Sequence, residues 1–216
     1  MLASTNRQME ASMNWTVRAV DVGFGHTKFI RGIDEEGKAV CAEFPSRAYA
    51  SPFDPEGGLG SDTRKTFAIP IEGMFDEVGP DVMLAADGFR AREIHGEYID
   101  SPQYMALTRG ALRMMEIEEI DLLVVGLPVA VYAAKKSRLE ALMKGCHDVG
   151  GGRTVTVHKA LAMAQPNGAL VDYATAMGRV EAMANDYSLV IDPGTRTFDW
   201  LVAKGMALSS KQSHSV

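Results

Sequence analysis

The chain is poor in the features that mark redox, membrane and nucleic-acid-binding proteins. Among its 216 residues there are only two cysteines, Cys41 and Cys146, far apart and without a C-x-x-C pair. The five histidines are scattered, with no spacing that suits a metal. Such a chain is neither a disulfide scaffold nor a zinc module, and two lone thiols fit a reducing cytoplasm. No apolar run approaches the ~18 residues that a membrane-spanning helix needs. Residues 1–14 are polar and methionine-rich without an apolar stretch, so they are expected to be a disordered tail rather than a signal peptide. Positive charge is in deficit: 22 Lys and Arg against 28 Asp and Glu leave a net charge of −6. Direct binding to nucleic acid, which needs clustered basic residues, is not expected, although a basic protein partner would be compatible. The phosphate-binding pattern G-x-x-x-x-G-K-[ST] is also missing.

Two glycine turns stand out from this plain background. Asp21-Val22-Gly23-Phe24-Gly25-His26-Thr27-Lys28 follows the apolar run Val17-Arg18-Ala19-Val20, and Asp192-Pro193-Gly194-Thr195-Arg196-Thr197-Phe198-Asp199 follows Ser188-Leu189-Val190-Ile191. Each opens on aspartate, turns on glycine and returns into a second apolar run. Glycine lets the backbone come close to a ligand, and successive N–H groups in such a turn make a concave anion site. Asp21 and Asp192 repel phosphate, so they make sense only with a divalent cation between them and the anion. Mg2+ accepts oxygen ligands and keeps several waters, so two carboxylates reaching it through water suffice. Lys28 can reach phosphate as a point charge. The plain alternative for either loop is a tight hairpin turn without a ligand. A dinucleotide fold is disfavoured, because its glycine loop enters a helix, whereas Lys28-Phe29-Ile30 continues as a strand.

Together the two loops resemble the first and second phosphate motifs of the superfamily of actin, sugar kinases and chaperone ATPases. Within it the chain is most similar to the bacterial ParM/StbA-like plasmid-segregation group. Residues 17–30, Gly126-Leu127-Pro128 and residues 191–202 resemble most the protein D family of the PRTRC system, actin-like proteins of mobile elements. Gln165-Pro166-Asn167-Gly168-Ala169 adds to the likeness. The resemblance covers about residue 15 to the end of the chain. It implies ATP and Mg2+ as cofactors, with Asp21 and Asp192 on the metal side. The phosphate contacts it implies come from Gly23, Phe24, Gly25 and Lys28 in the first loop and from Gly194, Thr195 and Arg196 in the second. Gln165, with the two aspartates, is implied as catalytic, orienting the attacking water. The loops depart from the usual pattern at Phe24, where relatives carry a small polar residue, and at Pro193 and Arg196. The adenosine-binding glycine motif of the group has no counterpart before Val216, so a truncated second lobe is expected.

The resemblance and the local patterns give one architecture: an α/β, actin-like (ribonuclease H-like) lobe with a mixed sheet and flanking helices, plus the first strands of an incomplete second lobe. The first lobe is expected over 15–170, a connecting helix over 171–185 and the second lobe from 186. Strands are expected over 17–21, 28–33, 39–44, 66–71, 82–85, 122–125 and 154–162, and a loop over 51–65. Ser101-Pro102 opens a helix running to about Met115, serine as cap and proline in the first turn. Tyr104, Leu107 and Ala111 share one of its faces. A second helix is expected over 130–144 and a third over 171–184. Asp199 is read as a turn cap, with Trp200 packing in the core. The expected function is that of an actin-like ATP-binding protein, an ATPase where the nucleotide site is complete, serving plasmid or mobile-element segregation. Self-association and contact with other partition or PRTRC proteins are implied as partners. The alternative is a non-catalytic assembly or binding module.

Overall fold

The computed structural model describes residues 15–51, 54, 64–84, 98–195, 198–205, 207–209 and 212–216. Among these residues, thirteen strands and four α-helices follow one another in the order β1 (Val17–Val22), β2 (His26–Ile33), β3 (Ala39–Pro45), β4 (Tyr49–Ser51), β5 (Phe67–Ile71), β6 (Met74–Val78), α1 (Pro102–Met114), β7 (Glu119–Leu127), α2 (Val129–Met143), β8 (Gly145–Asp148), β9 (Thr154–Ala164), α3 (Gln165–Ala176), α4 (Val180–Met183), β10 (Tyr187–Pro193), β11 (Phe198–Lys204), β12 (Ala207–Leu208) and β13 (His214–Ser215).

The main sheet has six strands in the order β3-β2-β1-β7-β9-β8. Its centre is parallel, with β7 between β1 and β9, and its flanks are antiparallel. The near-continuous apolar run in β7 follows from that central position, since a parallel strand is covered by sheet neighbours and crossover helices. Val20, Phe29, Phe44, Leu123, Val125 and Ala162 are buried in one cluster with Leu107 and Leu112 of α1 and Leu139 and Met143 of α2. The alternate residues Ala19, Lys28, Ile30, Val124 and Met163 line a groove of about 660 Å³ on the other face, bordered by the first turn of α3.

Helix α1 begins as expected. Ser101 Oγ accepts the backbone N–H of Tyr104 at 3.2 Å, satisfying one of the donors that a helix start leaves free. The helix touches β1 and β2 of the main sheet and β5 and β6 of a small β4-β6-β5 sheet. Gly110 permits the close approach to β6: a Cβ there would lie 2.6 Å from Val78 Cγ2.

Strands β10, β11 and β12 form a second sheet, with β13 also paired to β11. Its core is small and separate. Leu201 and Ala203 of β11 pack against Leu170 and Ala174 of α3, Met183 of α4 and Ala164. The outer side of β10 shows Tyr187, Leu189 and Ile191, all more than half exposed.

Several local expectations are corrected. Val82–Leu84, expected as part of a strand over 82–85, is a 3-10 turn. The strand of this region is β6, which returns from β5 through Glu72 and Gly73, both with positive φ (50° and 82°). That pair of left-handed residues matches the twist of a two-residue hairpin. The third helix starts at Gln165 rather than 171, because Pro166 suits a first turn. It stops at Ala176, before Gly178 with φ +61°, and α4 is a separate turn. Trp200 is not core. The alternation of β11 turns Asp199, Leu201 and Ala203 inward. Trp200 lies on the other face beside Phe198 and His214, its indole N–H donating to the Gln212 carbonyl at 3.1 Å. Asp199, expected as a turn cap, is a buried strand residue in register with Asp192. The tail over 1–14 and most of the loop over 51–65 lie outside the described residues.

Leu107 is fully buried where α1 meets the main sheet. Leu107→Ala should cost about 2–5 kcal/mol in chemical denaturation, whereas Met177→Ala, at an exposed helix end, should change stability by less than about 0.5 kcal/mol. Equal effects from the two changes would contradict the packing described.

Candidate functional site

The first loop joins β1 to β2 in an antiparallel hairpin whose register sets Asp21 opposite Lys28. Its turn is tight: Gly23 N–H donates to the His26 carbonyl at 3.2 Å, and a Cβ on Gly23 would meet that oxygen at 2.9 Å. The end of β3 braces it. Ser46 N–H donates to the Gly25 carbonyl at 2.9 Å, and the buried hydroxyls of Thr27 and Ser46 are 2.9 Å apart. The second loop joins β10 to β11, with Asp192 opposite Asp199.

The two loops meet. A Cβ on Gly25 would lie 2.6 Å from Thr195 Oγ1, so a side chain at residue 25 would force that hydroxyl aside. Between them lies a cavity of about 340 Å³, within the size range of small-molecule sites. Asp21, Gly23, Phe24, Gly25, Lys28, Gln165, Asp192, Gly194 and Thr195 all line it. Of the residues singled out in the sequence, Arg196 lies outside the described residues.

Asp21 is the centre of the arrangement. Gln165, the first residue of α3, donates from Nε2 to Asp21 Oδ1 at 2.7 Å. Gly126 on β7 makes the space for both side chains: a Cβ there would lie 2.4 Å from Asp21 Oδ1 and 3.0 Å from Gln165 Cγ. Burial pushes the Asp21 carboxyl up; the Gln165 hydrogen bond pulls it back, the Asp192 charge raises it and Lys28 lowers it. Asp21 and Asp192 line the same cavity, so each carboxylate charge disfavours the other.

Of the aromatic wall of the cavity, Phe24 was expected in the site but Tyr98 and Tyr104 were not. Phe24 stacks on Tyr98 with ring centroids 5.5 Å apart, and Tyr98 meets Tyr104 edge-on, also at 5.5 Å. Tyr98 and Tyr104 line the cavity with Lys135, which pairs with Asp100 at 2.8 Å. Gly126 was also not expected in the site; a glycine closing a buried strand beside the Asp21 strand is a readable sign of close approach.

This donor set suits a hydrated cation carrying phosphates better than a metal held by protein alone. Among the described residues no group of three or more His, Cys, Asp or Glu could hold a metal ion. Two carboxylates, glycine turns and one lysine leave the remaining ligands to phosphate and water, as Mg2+ prefers. No helix among the described residues is long and apolar enough to cross a membrane.

The raised Asp21 carboxyl has a consequence for stability. Between its ordinary value of 3.8 and its higher folded value, the folded chain holds more protons than the unfolded chain. Stability therefore falls as pH rises through that window, and the penalty is complete above it. Asp21→Asn removes the charge and keeps an acceptor for Gln165. It should raise the melting temperature at pH 7 by about 2–4 °C for each kcal/mol relieved, and the gain should vanish below about pH 4. A lower melting temperature for Asp21→Asn at pH 7 would contradict the account.

Comparison with solved structures gives one consistent answer. An AlfA filament bound to AMPPNP is 18% identical, with a TM-score of 0.68, over 94% of this chain and 70% of that one. The apo ParM protein of pSK41 is 18% identical, with a TM-score of 0.66, over 94% of this chain and 66% of that one. The archaeal actin homologue Ta0583 is 22% identical, with a TM-score of 0.68, over 93% of this chain and 61% of that one. The chain thus spans between about three-fifths and seven-tenths of the length of these structures, and the fold it shares with them is the actin-like α/β fold. No curated protein matches the sequence. Residues 19–168, more than two-thirds of the chain, match the N-terminal domain of actin-like proteins; the chain belongs to the actin-like protein family.

Proposed function

We propose that the cavity between the two loops binds ATP with Mg2+, and that the chain is the nucleotide-binding part of an actin-like ATPase. The observation that carries this is the convergence of Asp21, Lys28, Gln165, Asp192 and both glycine turns on one cavity. The metal would supply charge neutralisation of the phosphates. Asp21 and Asp192 would hold it, directly or through its waters. Backbone N–H groups of Gly25, Gly194 and Thr195 would donate to phosphate oxygens, with Gly23 shaping the turn through its own bond to His26 and Lys28 offsetting charge. Gln165, held by its bond to Asp21, would orient the attacking water. Phe24 would contribute its backbone, since its ring is turned onto Tyr98. Arg196 is proposed as a phosphate contact on the sequence pattern alone. Positioning and electrostatics of this kind are what phosphoryl transfer asks of a protein.

The biological role we propose is filament-based segregation or maintenance of a plasmid or mobile element, with self-association as the working state and other partition or PRTRC proteins as partners. Support comes from the neighbours: an AlfA is a filament bound to AMPPNP, and Ta0583 has also been solved with ADP. Likeness to the PRTRC protein D family rests on the sequence motifs. We further propose a first lobe over 15–170, a connecting segment over 171–185 and the beginning of a second lobe over 186–216, acting in the cytoplasm. In this reading the nucleotide biases how the two lobes close.

Calorimetric titration tests the core of this reading. Mg2+-dependent ATP binding is expected, weakened roughly tenfold to a hundredfold by Asp21→Ala or Asp192→Ala, the range for loss of a charge-assisted contact. No binding at millimolar ATP would overturn it and leave the non-catalytic assembly module as the reading.

A further inference from the structure

Tyr104 has a feature that its place in the α1 core does not explain. The side chain is 98% buried, at 2% exposure, and its hydroxyl has no hydrogen-bond partner among the described residues. A buried tyrosine hydroxyl ordinarily finds a partner, and leaving one unpaired costs about as much as a lost hydrogen bond. A phenylalanine would fill the same core volume without that cost.

The hydroxyl is also not free to look for a partner. Ser101 Oγ accepts the Tyr104 N–H and donates its own proton to the Tyr98 carbonyl at 2.6 Å. One turn on, Thr108 Oγ1 donates to the Tyr104 carbonyl at 2.9 Å. The ring is held edge-on against Tyr98, which is itself stacked on Phe24 of the first loop. Backbone, cap and ring are all fixed, and the side chain lines the cavity that holds Asp21 and Gln165.

The phenol keeps its proton. Burial pushes its titration far up, and the charges of Asp21 and Tyr98 add to the effect. What the side chain offers the cavity is therefore an O–H donor, and the missing partner is an acceptor oxygen.

We propose that Tyr104 is a ligand-binding residue of the nucleotide site, its hydroxyl donating to an oxygen of the bound phosphate chain. This rests on the nucleotide reading of the cavity and extends it to a helix that the two loops do not include. It also gives the aromatic wall a purpose. Phe24, at a loop position where a small polar residue would have contacted phosphate, instead packs on the tyrosine pair, and Tyr104 supplies a hydroxyl from behind it.

The test is Tyr104→Phe, read in two ways on the same protein. Calorimetry with Mg2+-ATP should show affinity lowered roughly tenfold to a hundredfold, the range for a hydrogen bond to a charged acceptor. Thermal melting without nucleotide should show a stability equal to or above that of the wild type, because the change removes an unpaired buried hydroxyl and keeps the ring. The two effects have opposite signs, which a purely structural tyrosine would not produce. Wild-type affinity in Tyr104→Phe overturns the proposal and marks the hydroxyl as the partner of a trapped water. A variant that melts lower and binds ATP as tightly as the wild type assigns Tyr104 to the core alone. If the wild-type chain itself binds no ATP, the nucleotide reading and this one fall together.

Discussion

The closeness of two glycines to neighbouring side chains sets the form of the cleft. A side chain on Gly25 would force the Thr195 hydroxyl aside, and the carboxylate of Asp21 fits beside Gln165 because Gly126 has no side chain. Gly25 lies in the loop between β1 and β2 and Gly126 on β7, yet both border the same cavity. One leaves room for the Thr195 hydroxyl, and the other lets a charge be carried into the gap. The chain tolerates a carboxylate that burial disfavours. Such a charge makes sense as a ligand for a cation, and that cation in turn makes sense of glycine turns that present N–H groups to an anion.

The main sheet supplies the rigidity for this. Its parallel centre places the carboxyl ends of β1, β7 and β9 together, and Asp21, Gly126 and Gln165 all lie at or just beyond those ends. Ligands of open α/β sheets collect there as a rule. The second sheet contributes less core and more exposure: Leu201 and Ala203 hold it to α3, while Tyr187, Leu189 and Ile191 face outward. Its function in the site is to deliver Asp192, Gly194 and Thr195 to the shared cavity.

Much of this could be read from the residues. The two loops were legible because aspartate and glycine between apolar runs have few other uses. Ser101-Pro102 and the apolar stretch of β7 announced a helix start and a central strand. What was hidden was set by tertiary context. The β5–β6 hairpin turns on Glu72-Gly73, a weak turn signal, and β6 buries Asp76 and Glu77, so its charge masked a strand. Pro166 opens α3 ahead of the expected start at 171, bringing Gln165 to Asp21. Tyr104 carried the pattern of a core residue, and only the missing partner of its hydroxyl distinguishes it. Gly126 gave a sign, a glycine at the end of a buried strand, but its neighbours come from segments more than 35 positions away in the chain.

The most direct test asks whether both loops belong to one site. Mn2+ can replace Mg2+ as a paramagnetic probe, and the backbone amide resonances of the isotopically labelled chain can be followed with Mn2+-ATP present. The account predicts strong relaxation of Gly23 and Gly25 together with Gly194 and Thr195, and little at Gly178 in the turn between α3 and α4. Broadening confined to one loop, or to neither, would contradict a shared cation–phosphate site.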